Sequence, residues 1–277
     1  MLTVAVYNLK GGVGKTSAAV NLAFLAARDG YRTLLWDLDP QGGATYLLRG
    51  RPKVKGGARS LINRPGQLEQ RVSGTEFDNL DLLPADRSYR GMDLVLDRTS
   101  HSTRRLLDQL RPLESRYDLV LLDCPPSSSL VSQAALRAAR LVLVPVIPAT
   151  LSWRTLNQVT GLVKELKAPR PVLLPFLSLV DRRRRLHREL AEQLRTGLPS
   201  LARAAIPISS AVEQMGPRRS PVHTFAAGTP AAVAYQDLWA EVREATAPGP
   251  GGAFGPTPAP PASASGKAGG GRRPTGR

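Results

Sequence analysis

The stretch Tyr7-Asn8-Leu9-Lys10-Gly11-Gly12-Val13-Gly14-Lys15-Thr16-Ser17 constrains this chain more than any other. It follows Leu2-Thr3-Val4-Ala5-Val6, a short apolar, β-branched run that reads as a buried strand. It precedes Ala18 to Ala27, an alanine- and leucine-rich run with the composition of a helix. Strand, glycine loop, Lys-Thr and helix form the context that a phosphate-binding loop needs. Glycines let backbone N–H groups converge on phosphate oxygens, and the helix N-terminus adds a favourable partial charge. The loop candidates are Gly11, Gly12, Val13, Gly14, Lys15, Thr16 and Ser17. Lys15 supplies a point charge to the β- and γ-phosphates, and Thr16 a hydroxyl ligand for Mg²⁺. The alternative is a glycine turn with two surface lysines, which leaves the flanking strand and helix unexplained.

The usual pattern G-x-x-x-x-G-K-[ST] wants a glycine at position 9, and Leu9 stands there instead. An extra lysine, Lys10, sits at the mouth of the loop. The string K-G-G-V-G-K-T-S resembles the deviant Walker A signature of the ParA/MinD group of ATPases. That resemblance implies ATP and Mg²⁺ as ligands. It gives Lys10 the role of reaching across a dimer interface to the nucleotide of the partner subunit.

Two acidic segments fit the same reading. Thr33-Leu34-Leu35-Trp36 reads as a second buried strand, and Asp37-Leu38-Asp39-Pro40-Gln41-Gly42-Gly43-Ala44-Thr45 follows it. Acids at the C-terminal end of a strand lie where ligands bind in open α/β sheets, although a solvated acidic turn has the same composition. The order resembles the family's D-x-D-P-Q-G-N-A-T segment, with Gly43 in place of the usual Asn. By that resemblance Asp39 orients the attacking water and helps hold the Mg²⁺ shell, and Asp37 supports it. Gly43 is expected to alter loop rigidity more than chemistry. Farther on, Tyr117-Asp118-Leu119-Val120-Leu121-Leu122-Asp123-Cys124-Pro125-Pro126-Ser127 is an apolar strand closing on an acid. Asp123 is placed to bind Mg²⁺ through water. The Cys-Pro-Pro-Ser that follows again resembles the family, and Cys124 reads as a small packing residue rather than a reactive thiol.

Charge and composition narrow the class. The 277 residues are 42% hydrophobic, enough for one large α/β core. One cysteine excludes a disulfide framework and a four-cysteine zinc site. No run is long and apolar enough to span a bilayer, and the chain enters its first strand without a secretory signal, so a cytoplasmic location is expected. The formal net charge of +16 suggests a polyanionic partner. Residues 1–246 are expected to form the ATPase domain. Residues 247–277 are rich in Pro, Gly, Ala and Ser, carry Lys267, Arg272, Arg273 and Arg277 with no acid, and are expected to be a disordered basic tail.

Further strands are expected at Leu80–Ala85, Leu141–Val146 and Val172–Val180. Helices are expected at 60–72 (interrupted at Pro65), 102–114, Ala134–Ala139, Leu151–Lys167, after Arg185, and at Ala231–Val242. Alternating strands and helices predict a mostly parallel, twisted sheet flanked by helices on both faces, the P-loop NTPase class. Leu177 to Arg182 resembles the family's strand-to-helix loop, which assigns Asp181 to the nucleotide. Ala205-Ile206-Pro207-Ile208-Ser209 aligns with the family's I-P-R-N adenine loop, assigning Pro207 and Ser209 to the base, with Ile208 and Ser209 replacing Arg and Asn. The resemblance implies a homodimer around ATP that hydrolyses it slowly and binds DNA without sequence preference. The candidates for DNA contact are Arg182, Arg183, Arg184, Arg185 and Arg188, with Arg218 and Arg219. It also implies nucleoid association and a small activating partner of the ParB kind. The lone Cys124 speaks against an iron–sulfur ATPase, and the Pro/Gly-rich tail against a membrane-anchored relative. A non-hydrolysing, nucleotide-dependent scaffold is the alternative function.

Overall fold

A computed structural model describes residues 1–63, 68–99, 101–166 and 169–247. The expected tail beyond Ala247, the interruption at Pro65 and the end of the 151–167 helix at Lys167 lie outside them. In chain order the elements are β1 (Leu2–Val6), α1 (Lys15–Arg28), β2 (Thr33–Asp37), α2 (Gly43–Leu47), α3 (Gly57–Asn63), β3 (Ser73–Gly74), β4 (Leu80–Leu83), α4 (Met92–Asp97), α5 (Arg105–Leu110) and β5 (Leu119–Asp123). Then follow α6 (Leu130–Ala138), β6 (Leu141–Val146), α7 (Ser152–Glu165), β7 (Val172–Val180), α8 (Arg185–Gly197), β8 (Ala205–Pro207), α9 (Ser210–Glu213), α10 (Met215–Arg218), α11 (His223–Ala226) and α12 (Pro230–Thr246).

The sheet runs β3-β4-β2-β5-β1-β6-β7-β8, parallel throughout except for β3, which pairs antiparallel with β4. Its central strands β1, β2 and β5 are buried at every position because both faces are covered. Val4 and Val6 of β1, and Leu119 and Leu121 of β5, pack on the face that carries α1 and α12. Ala5 of β1, with Val120 and Leu122 of β5, packs on the opposite face against α3, α4, α5, α6 and α7. Tyr31 meets Trp239 of α12 edge-on at 5.5 Å, and the Trp239 indole donates to Asp29 at 2.8 Å, fixing α12 beside the end of α1.

Where 102–114 was expected as one helix, the chain forms 3₁₀ turns at Ser102–Arg104 and Arg111–Leu113 around the short α5. Pro112 has no N–H to continue an α-helical ladder, so the last turn tightens. Of the apolar residues in this segment, Leu106, Leu110 and Leu113 are buried and Leu107 is half-buried against the same core.

The parallel strands bring their C-terminal ends to one edge. There β1 opens into the glycine loop, β2 ends on Asp37, and β5 ends on Asp123. Asp123 is in register with Val6 on one side and Asp37 on the other.

Candidate nucleotide and arginine sites

The glycine loop wraps a cavity of about 350 Å³ lined by Gly11, Gly12, Gly14, Lys15, Thr16, Ser17, Asp39, Pro126 and Leu179. Gly12 and Gly14 hold φ of +70° and +89°, the left-handed region that a side chain would strain. Gly14 has a second requirement, since a Cβ there would stand 2.8 Å from the Ser178 hydroxyl. That hydroxyl donates to the Val13 carbonyl at 2.8 Å, so β7 braces the loop from the side. Asn8 braces its start: the amide donates to Pro145 O at 2.8 Å and accepts from Lys10 N at 2.9 Å.

Lys15 is 7% exposed and donates from Nζ to the Lys10 carbonyl at 3.0 Å. Burial lowers its pKa, and the nearby Asp123, Cys124 and Asp39 oppose that shift. The Lys10 side chain itself is exposed. Asp39 lines the cavity and accepts from Gln41 N at 2.9 Å.

Asp37 does not line the cavity. It is fully buried, and its Oδ2 accepts from both the Thr45 N–H at 2.8 Å and the Thr45 hydroxyl at 2.7 Å, while Oδ1 accepts from Asp39 N at 3.2 Å. Burial pushes its pKa up to about 6 against those bonds. The carboxylate therefore anchors α2. Gly43, the first residue of α2, lies against Thr16: a Cβ at Gly43 would stand 3.0 Å from Thr16 Cγ2.

Asp123 is also fully buried, and neither carboxylate oxygen has a hydrogen-bond partner. Burial, reinforced by Asp37, drives its pKa well above the carboxylate range, and the Lys15 charge offsets only part of that. An orphaned buried carboxylate beside a hydroxyl fits a divalent cation completed by phosphate and water. Among the described residues no cluster of three or more His, Cys, Asp or Glu could hold a metal alone. Cys124 is buried with its thiol pushed upward by burial, in keeping with a packing role.

Asp181, Pro207 and Ser209 are not among the residues that line the phosphate cavity. The Asp181 carboxylate is engaged by Arg183 at 3.0 and 3.2 Å, and the Ser209 hydroxyl caps α9 by accepting from Ala211 N. Pro207 lines a separate cavity of about 770 Å³ together with Arg182, Arg195, Arg203, Val233 and Glu241.

The arginine candidates fall in two places. In the first, Arg183 pairs with Asp181, Arg185 with Glu189, and Arg188 donates to the Arg182 and Arg183 carbonyls. Arg182 and Arg184 are exposed and enter no ion pair among the described residues. In the second, Arg219 stacks 4.7 Å over Tyr46 and donates to the Tyr46 carbonyl, and Arg218 stacks 4.7 Å over Phe225.

Two bracing residues, Asn8 and Asn21, carried signals that the motif reading passed over. Asn8 is an amide directly after an apolar strand, and Asn21 is a lone polar residue in an apolar helix. Leu179, a cavity-lining residue with φ +53°, had no sequence signal, because leucine rarely adopts that conformation.

The AAA domain family model matches residues 1–172. The chromosome-partitioning ATPase Soj of Thermus thermophilus is 40% identical over 199 residues, which cover 69% of this chain and 75% of that protein. The chromosome partitioning protein ParA of Caulobacter vibrioides is 33% identical over 202 residues, covering 69% and 74%. Among solved structures, cobyrinic acid a,c-diamide synthase of Mycobacterium smegmatis with bound ATP analogue and magnesium has a TM-score of 0.73 at 26% identity, covering 88% of this chain and 95% of that one.

Proposed function

Given that this chain belongs to the ParA/MinD family of ATPases, we propose that it binds Mg·ATP, pairs with a second copy around the nucleotides, binds DNA without sequence preference, and hydrolyses ATP slowly to segregate or position DNA or another large cargo. It would act in the cytoplasm on the nucleoid, with a small ParB-like protein as activator. One observation carries this reading: Lys15, Thr16 and Asp39 converge on one cavity, beside the unpaired carboxylate of Asp123.

The roles follow from the placement. Lys15 exchanges the neutral Lys10 carbonyl for an anionic phosphate oxygen, so that its ammonium meets an opposite charge. Loop N–H groups and the start of α1 hold the phosphates. Mg²⁺ would be held by Thr16, with Asp123 and Asp39 in its water shell, and would neutralise charge developing on the β- and γ-phosphates. Asp39 orients the attacking water, and Lys10, exposed at the mouth, reaches the nucleotide of the second copy. Asp37 acts at one remove, by holding α2 and the Asp39 backbone.

Phosphate release measured with Mg·ATP, with and without duplex DNA, tests the proposal. Slow release accelerated by DNA or by a partner supports it. Tight ATP binding with no release under any condition would instead mark a nucleotide-dependent scaffold.

A further inference from the structure

Asn21 stands one turn beyond Ser17 on α1, completely buried among Ala18, Ala19, Val20, Leu22 and Ala23. A buried amide costs stability unless its atoms are matched, and all of this one's are. Nδ2 donates to the Ser17 carbonyl at 2.8 Å and contacts the Met215 sulfur at 3.2 Å, while Oδ1 accepts from Val222 N at 2.9 Å. Met215 and Val222 are the two ends of the segment that carries Arg218 and Arg219. One side chain thus clamps both ends of the arginine turn to the helix whose first turn, Lys15-Thr16-Ser17, lines the phosphate cavity.

A second tie reaches the same turn from the same cavity. Gly43 opens α2 against Thr16. At the other end of α2, Arg219 donates to the Tyr46 carbonyl at 2.9 Å, and Arg49 donates to the carbonyls of Arg218 and Arg219. Both helices that meet at Thr16 therefore grip the Arg218–Arg219 turn.

We propose that Asn21 is a positioning residue that transmits the state of the phosphate loop to the Arg218–Arg219 turn. Its consequence for DNA rests on the reading of those arginines given above. The coupling itself does not.

The test is amide hydrogen exchange at Arg218, Arg219 and Ser220 with and without Mg·ATP, in the wild type, Asn21→Ala and Val222→Pro. Val222 has φ −56°, which proline accepts, so the second variant removes the turn's own donor while every α1 residue is kept. In the wild type, Mg·ATP slows exchange. In both variants exchange in the nucleotide-free protein rises about fivefold, the ratio that one ordinary hydrogen bond represents, and the response to Mg·ATP disappears while ATP affinity holds within about twofold. An unchanged response to Mg·ATP in both variants overturns the proposal. Loss of ATP binding in both overturns it too, since the amide would then be holding the loop itself.

Duplex binding across a salt series separates this from the DNA reading. Asn21→Ala should lower the salt slope as Arg218→Ala/Arg219→Ala does, and combining the three should add nothing, whereas alanines at Arg182 to Arg185 should subtract further. Altered exchange with an unchanged slope keeps the coupling and removes the turn from the DNA contact.

Discussion

Asp37 and Asp123 are register partners across β2 and β5, both completely buried, yet Asp37 accepts three hydrogen bonds and Asp123 none. The first is a structural anchor, and the second is the carboxylate assigned above to the proposed Mg²⁺ shell. Asp37→Ala should destabilise the nucleotide-free protein by about 1–3 kcal/mol, because the Thr45 N–H and hydroxyl lose their acceptor. Asp123→Asn removes an unpaired buried acid, so stability without nucleotide should not fall, while the gain in ATP affinity from Mg²⁺ should be lost. Urea unfolding and ATP titration with and without Mg²⁺ check both. Equal destabilisation by the two variants would refute the contrast.

Lys10→Ala should abolish ATP-dependent dimerisation and leave nucleotide binding mostly intact. The Lys10 carbonyl that receives Lys15 survives the substitution, and only the exposed side chain is removed. Sedimentation with Mg·ATP reads the outcome, and an undiminished dimer would sink the assignment.

Asp39→Ala should trap the ATP-bound state. The phosphate cradle persists while the group orienting water is gone, so hydrolysis should slow by about a hundredfold or more. Phosphate release at the wild-type rate would show that Asp39 is not the catalytic carboxylate.

His223 gives the protein an acid sensitivity. Its ring nitrogens are buried, the ring stacks 6.3 Å from Phe24, and burial, then Arg28, holds its pKa below the usual histidine value. As pH falls below about 6.5 the unfolded chain takes up a proton that the folded one resists, so stability rises with pH in this window and is lost on acidification. His223→Leu should flatten the fall in melting temperature between pH 7 and pH 5. An unaltered pH dependence would contradict the assignment.

The framework of the site was legible because it is written in local patterns: apolar strands closing on Asp37 and Asp123, and a glycine loop running into Lys15-Thr16. The partition of labour between the two acids was not, because Asp37 is claimed by Thr45, and only the fold brings α2 back to the end of β2. Asn21 was hidden in the same way, as its partners Met215 and Val222 lie far along the chain. β3 is two residues long and antiparallel, too short to leave a periodicity. The adenine assignments for Pro207 and Ser209 rest on a motif altered at Ile208 and Ser209, and that for Asp181 on the separate loop at 177–182; none of the three lines the phosphate cavity.

A nucleotide switch for DNA binding is tested most directly by binding to random-sequence duplex across a salt series, with and without Mg·ATP. Each phosphate neutralised contributes about −0.9 to the slope of log affinity against log salt. Mg·ATP should tighten binding and steepen the slope, and alanine replacement of Arg182 to Arg185 or of Arg218 and Arg219 should each flatten it. Affinity and slope that ignore Mg·ATP and both sets of replacements would contradict the account.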